Sequence, residues 1–124
     1  MLNEKIIEIL KHEGPASFAT HGTDGIHLAA TWNSYIEVLY NDDTLLIPAG
    51  HLNKTQRNVE SGSEVQMILA SKDVAGLQGK GAGFLLKGKA KFEENGINFD
   101  KLKSRFSWVR SAMVFNVKEV TELV

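Results

Sequence analysis

The sequence predicts a mainly β domain: a small closed or partly closed antiparallel barrel of six or seven strands with about three short helices. Three observations predict it. Short runs rich in β-branched and aromatic residues are separated by compact turn signals, which favours antiparallel neighbours. Alternating strand–helix units are absent, which argues against a doubly wound parallel sheet. Full or partial closure removes the exposed edges that so many short strands would otherwise leave.

Taken in order, Leu2, Ile6, Ile9 and Leu10 recur at helical spacing with Glu4, Lys5, Glu8 and Lys11 between them. They predict an amphipathic helix over residues 2–12, stopped by Gly14-Pro15. Residues 16–20 and 27–31 form a predicted hairpin around the turn Gly22-Thr23-Asp24-Gly25. Thr31-Trp32-Asn33-Ser34-Tyr35 mixes β-formers with small polar groups, and a strand follows over 35–40. Asn41-Asp42-Asp43 then turns the chain into the apolar run Leu45-Leu46-Ile47. A short helix starts with Asn53 as N-cap and Gln56 three residues on, a capping-box pair, and ends near Ser61 with Gly62 at C′. Residues 64–70 form a mostly buried strand. Residues 74–83 hold Gly76, Gly79, Gly81 and Gly83 and read as a loop in which backbone approaches another group closely. Residues 84–92 alternate Leu86, Gly88, Ala90 and Phe92 against Lys87, Lys89 and Lys91. After Asn95-Gly96, Phe99, Leu102 and Phe106 mark another helix. Residues 111–120 form a last strand.

The 124 residues are a typical length for one compact domain, 1–124, and 43% hydrophobic content supplies a core. A formal net charge of −1 gives no polyanion-seeking surface, so no nucleic-acid partner is expected. The absence of cysteine excludes disulfides, thiolate metal sites and thiol catalysis, and fits a reducing cytoplasm. No basic n-region with a long apolar core opens the chain, and no apolar run reaches the roughly 20 residues of a membrane helix. A cytoplasmic protein with no membrane partner is expected.

The chemistry concentrates in residues 45–58. An apolar strand meets the Pro48-Ala49-Gly50 break, and a polar helix follows with Lys54-Thr55 in its first turn. Backbone N–H groups at a helix start lack intrahelical acceptors, and the helix dipole favours negative charge there. A cation and a hydroxyl at that place make a candidate phosphate site; an ordinary strand-to-helix turn is the plainer alternative. The run Gly83-Phe84-Leu85-Leu86-Lys87-Gly88-Lys89-Ala90 only resembles a P-loop: Ala90 stands where a hydroxyl must hold magnesium, and the run alternates as a strand. Gly79, Gly81 and Gly83 lack the third spacing and the following helix of a dinucleotide fingerprint. His21 and His27 could face each other across the hairpin, but no third ligand is evident, so no metal site is expected. Trp32 and Trp108 either cap the core or form a flat wall for a planar ligand. A planar ring with a phosphate tail satisfies both features.

Thr31-Trp32-Asn33-Ser34-Tyr35, Pro48-Ala49-Gly50 with Lys54-Thr55, Gly81-Ala82-Gly83-Phe84-Leu85, and Trp108 before the last strand resemble, in order and nearly in spacing, the small FMN-binding proteins of the pyridoxamine 5′-phosphate oxidase-like split-barrel group. The resemblance spans nearly the whole chain. It implies a split β-barrel, a homodimer, and non-covalent FMN near the subunit interface. It places Lys54 and Thr55 on the phosphate, and Thr31, Trp32 and Asn33 on the strand beside the flavin. Backbone of Pro48, Ala49, Gly50, His51 and Leu52 would pass the ring edge. Trp108 would lie near the ring, and Leu123 and Val124 would cover it from the other subunit. His51-Leu52-Asn53 and the basic face Lys87, Lys89, Lys91 depart from the group's pattern. The implied role is electron transfer with an unknown redox partner, the flavin carrying the electrons, so that no protein nucleophile is needed. The alternatives are a flavin reductase, an oxidase-like enzyme using Arg57, Arg105 or Arg110 on a substrate phosphate, and a cofactor-free module. A haem-binding variant with His51 as ligand is a further one.

Overall fold

The computed structural model describes residues 1–124. Seven strands form one antiparallel sheet: β1 (Pro15–Gly22), β2 (Gly25–Trp32), β3 (Glu37–Leu39), β4 (Thr44–Ala49), β5 (Val65–Gly76), β6 (Gly79–Glu93) and β7 (Ser111–Glu122). Their spatial order is β2-β1-β5-β6-β7-β4-β3. The helices are α1 (Glu4–Leu10), α2 (Asn53–Glu60) and α3 (Ile97–Lys103). One face of the sheet converges on a single core. Ala16 and Phe18, Leu45 and Ile47, Val65, Met67 and Leu69, Phe84 and Leu86, and Met113, Phe115 and Val117 pack together, with Ala29 of β2 and Val38 of β3 against them. The sheet is therefore curled into a barrel, and β2 and β3 are its two unpaired edges, joined only by the 3₁₀ turn at Asn33–Tyr35. The fold is a split β-barrel.

Helix α1 places fully buried Ile6 and Ile9 in that core, and Asn3 Oδ1 caps it by accepting from Ile6 N at 2.9 Å. Every residue of β4 is buried, which explains its unbroken apolar run. Leu45 and Ile47 face the barrel, while Leu46 packs outside it with Leu102 of α3, Val109, Ala112 and Val114. Pro48 fits a strand here because Ala49 already turns its own backbone to β7, accepting from Arg110 N at 2.8 Å. Pro48 therefore faces the opposite side, beyond the end of β3, where no ladder donor is required.

The glycine-rich segment departs from the expected loop. It is the tip of a long β5–β6 hairpin: Ala75 pairs with Lys80 and Gly76 with Gly79, with a register shift between Ser71 and Ala75. Close approach is what Gly76 serves, whereas Gly79 and Gly81 take positive φ, 127° and 112°. A Cβ on Gly76 would lie 2.0 Å from the Gly81 carbonyl and 2.8 Å from that of Val124. The expected 35–40 strand is only three residues, β3, between two 3₁₀ turns. The last helix stops at Lys103, before Phe106. Register also separates the two hairpin histidines. His21 pairs with Ile26 and His27 with Thr20, so they lie on opposite faces.

Truncating Ile9, a core residue donated by a helix rather than by the sheet, tests how far α1 belongs to the barrel. Ile9→Ala is expected to lower urea-unfolding stability by about 2–5 kcal/mol. A loss under about 1 kcal/mol would show that α1 merely rests on the surface.

Candidate functional site

The seam of the barrel holds a cleft of about 680 Å³. One wall comes from β1 and the end of β2, through Pro15, Ala30, Thr31 and Trp32. The other comes from the end of β4 and the bend after it, through Pro48, Gly50, His51 and Leu52. Tyr35 and Trp108 complete it. Residues far apart in sequence meet here because the two sheet edges curl toward each other without pairing.

The aromatic wall is a packed unit. Phe106 lies 4.8 Å from Tyr35 and 5.2 Å from Trp108 between ring centroids, and Tyr35 lies 5.9 Å from Trp108, all tilted by 43–45°. Trp32 and Trp108 each remain 49% exposed, so neither is a core residue and both leave ring area to a ligand. Trp108 explains Gly50: a Cβ there would lie 2.8 Å from Trp108 Cε3. A side chain at 50 would push the indole away from the bend.

The bend into α2 has an unusual backbone account. Leu52, not Asn53, is the N-cap residue, with φ 63° and ψ 31°. Left-handed backbone costs a bulky residue about 1–2 kcal/mol, so the surrounding structure must hold it there. The expected capping box does not form. Gln56 Oε1 instead accepts from Arg110 Nη1 at 2.8 Å, and its Nε2 donates to Glu60. The start of α2 therefore has no side-chain cap. The N–H groups of residues 50–55 donate to no atom of the chain, a run of six free donors. At its end the Thr55 side chain is wholly buried, and its Oγ1 has no hydrogen-bond partner. A buried hydroxyl without a partner is costly unless something else satisfies it.

Helix α2 is held in place from below. Asn58 Nδ2 donates to Thr20 Oγ1 of β1 at 3.1 Å, with both side chains buried. At its start Lys54 forms an ion pair with Asp24 of the β1–β2 turn. The Lys54 ammonium, with Asp24's own backbone N–H and the Arg57 charge, holds the Asp24 carboxyl below its ordinary value of 3.8. Asp24 is thus ionised at neutral pH. Its depressed pKa means that the pair's contribution is fully present above the ordinary carboxylate value and is lost as pH falls through the lowered one.

The sequence-predicted residues divide. Thr31, Trp32, Pro48, Gly50, His51, Leu52 and Trp108 line one cleft, and Lys54 and Thr55 follow in the next turn. Asn33 does not line it: fully buried, it donates from Nδ2 to His12 O and ties β2 to the chain after α1. Ala49 is fully buried and contributes its carbonyl to Arg110. Val124 lies against Gly76 and Gly83 of its own chain and does not line the cleft. Pro15, Ala30 and Tyr35 line the cleft without having been singled out, because only the curl of the sheet brings them there. Arg110, offered by the sequence only as one of three arginines for the oxidase-like alternative, donates from Nη2 to the His51 carbonyl at 2.7 Å. No group of three His, Asp or Glu side chains is placed to hold a metal ion.

No protein-family model matches the chain. It is 44% identical over 117 residues to the FMN-binding protein of Nitratidesulfovibrio vulgaris (strain DSM 19637 / Miyazaki F), covering 94% of each protein. HupZ of Group A Streptococcus superposes with a TM-score of 0.80 at 13% identity, over 99% of this chain and 94% of that one. An FMN-binding protein of Syntrophomonas wolfei superposes at 0.69 and 16% identity, over 88% of this chain and 76% of that one. At such low identity these two structures speak for the fold alone, the split barrel already described. The extended sequence identity decides the family: the chain belongs to the family of that FMN-binding protein.

Proposed function

We propose that this protein binds FMN non-covalently in the seam cleft and acts as a homodimeric redox carrier. The observation that carries the reading is the run of six free N–H donors over residues 50–55, ending on the unpartnered Thr55 hydroxyl. An aromatic cleft adjoins one end of that run and a helix N-terminus lies at the other. FMN offers matching groups in the same order: a planar ring with carbonyl and imine acceptors, a linker, and a dianionic phosphate.

The phosphate would sit at the start of α2, with Thr55 Oγ1, the first-turn N–H groups and Lys54 as donors. Lys54 would then be shared between phosphate and Asp24, which keeps its ammonium over the site. Backbone of Gly50, His51 and Leu52 would meet the polar ring edge, with Thr31 and Trp32 opposite and Trp108 beside it. Bound FMN supplies one- and two-electron chemistry, and the chain's part is to orient the ring, exclude water and donate hydrogen bonds.

An apolar face supports the dimer. Ile26, Leu28, Ala30 and Trp32 alternate outward along the edge strand β2, and Ile68 of β5 is exposed beside β1. Ile26 and Leu28 are 73% and 72% exposed. An uncovered apolar edge strand is an association hazard, and a second copy laid on it removes that hazard. The face runs into the cleft through Ala30 and Trp32, so such a copy would close the cleft's open side. Leu123 and Val124 of that copy are the proposed cover.

Purified protein is expected to show the flavin visible bands, or to acquire them on FMN titration; a colourless protein that takes up no FMN would sink the reading. Two substitutions separate phosphate from ring. Lys54→Ala is expected to weaken FMN about tenfold, roughly 1.4 kcal/mol, and riboflavin hardly at all. Thr55→Val is expected to leave the flavin-free protein as stable or more stable, since a methyl replaces an unsatisfied hydroxyl, while weakening FMN severalfold. A Thr55→Val protein that is destabilised yet binds FMN normally would contradict the phosphate role. For the dimer, light scattering should give twice the 13.7 kDa chain mass. Leu28→Lys should yield a monomer with weaker FMN binding; an unchanged dimer would place the interface elsewhere.

A further inference from the structure

We propose that Arg110 is a positioning residue for the flavin. It pins the His51–Leu52 peptide so that the bend shows the cleft a hydrogen-bond donor rather than a carbonyl. The inference rests on the FMN reading above and deepens it.

Arg110 holds the bend at two points. Its backbone N–H donates to Ala49 O at 2.8 Å, and its Nη2 donates to His51 O at 2.7 Å. The guanidinium is itself braced: Nη1 donates to Gln56 Oε1 at 2.8 Å, and Glu94 lies 3.9 Å away. Leu52 O is occupied separately by Gln56 N at 2.9 Å. The carbonyls of Ala49, His51 and Leu52 are thus all taken, while the N–H groups of residues 50–52 are free. Arg110 stands behind the bend and does not line the cleft.

In a trans peptide the C=O of one residue and the N–H of the next point in opposite directions. The chain has no cis peptide. Holding His51 O toward Arg110 therefore sends Leu52 N–H toward the cleft. The competing state is a flip of that peptide. A flip turns φ of Leu52 from +63° toward the ordinary negative region and so relieves its strain. It also puts His51 C=O in the cleft, facing the acceptors of the flavin edge. The charge-assisted bond from Arg110 Nη2 to His51 O, and the contacts to Gln56 and Glu94 that brace the guanidinium, are what oppose it. Without them the chain prefers the flipped bend, and a flavin of either kind must reverse the flip before it binds. Binding affinity then falls by the fraction of chains in the competent state.

The test titrates riboflavin and FMN, by visible absorbance, into wild-type protein, Arg110→Met, Leu52→Gly and the double variant. Thermal unfolding checks that each is folded. Arg110→Met is expected to lose about tenfold or more for both flavins alike, since the peptide faces the ring and not the phosphate. Glycine at 52 removes the left-handed strain that drives the flip. In the Leu52→Gly background the penalty of removing Arg110 should therefore shrink about fivefold. Three results would overturn the proposal: Arg110→Met binding both flavins within twofold of wild type, a loss confined to FMN, or an equal loss in both backgrounds. Should Arg110→Met not fold, Arg110→Gln is read by the same criteria; failure of both to fold assigns Arg110 to the barrel and overturns the proposal too. Wild-type protein that binds neither flavin would instead remove the FMN reading itself.

Discussion

Backbone amides buried or half-buried in a folded chain must find acceptors, and a helix start leaves more of them than any other local structure. At the bend between β4 and α2 this constraint is met by omission. The box that would cap α2 does not form, because Leu52 takes the N-cap place and the Gln56 side chain bonds Arg110. Leu52 takes a left-handed backbone, and six N–H groups in succession are left without an acceptor. The Thr55 hydroxyl, fully buried and unpartnered, adds a seventh group in want of a partner. A chain gains nothing in stability from such an arrangement. It makes sense as a surface shaped for an acceptor-rich ligand, and the strain at Leu52 sits where that ligand would bind.

The barrel's topology is what makes the bend useful. Strands β2 and β3 are edges that never pair, so the seam between them stays open at the bend. Trp32 ends β2 on one side of the seam, and Trp108 leads into β7 on the other. Trp108 lies so close to Gly50 that a side chain there would displace the indole. Phosphate chemistry and ring chemistry are thereby brought within a few residues of one another, while the β2 face that runs out from the cleft remains apolar and uncovered. Binding and association are linked in this picture: a copy that covers Ile26 and Leu28 also closes the cleft beside Ala30 and Trp32.

Much of this was legible in the sequence, and the gaps have physical causes. The strands showed through alternation, and β4 showed as an unbroken apolar run because Leu45 and Ile47 face one core while Leu46 faces another. The Lys54-Thr55 pair after the Pro-Gly break marked the proposed anion end, and the two tryptophans fall on the cleft wall. Gly76, Gly79, Gly81 and Gly83 misled, since glycine signals both a loop and the close packing of backbone on backbone; here Gly76 meets the Gly81 carbonyl inside a hairpin. Asn53 misled as a cap because the helix begins one residue earlier than its side chain suggested, with Leu52 at the N-cap and Gln56 N bonded to Leu52 O. Asn33 read as a flavin contact and proved to be an internal brace on His12 O. The role of Arg110 had no local signal. It bonds a carbonyl 59 residues earlier in the chain, and only the barrel's closure brings the two together.

The most direct test follows the backbone amides of residues 50–55 by two-dimensional NMR as one equivalent of FMN is added. The account predicts large shifts and slowed hydrogen exchange at those six amides, strongest toward the start of α2, with riboflavin reproducing the changes at residues 50–52 and leaving 53–55 nearly unmoved. Amides of 50–55 that stay unshifted and exchange as fast in saturating FMN as without it would contradict the account, whatever else the flavin touched.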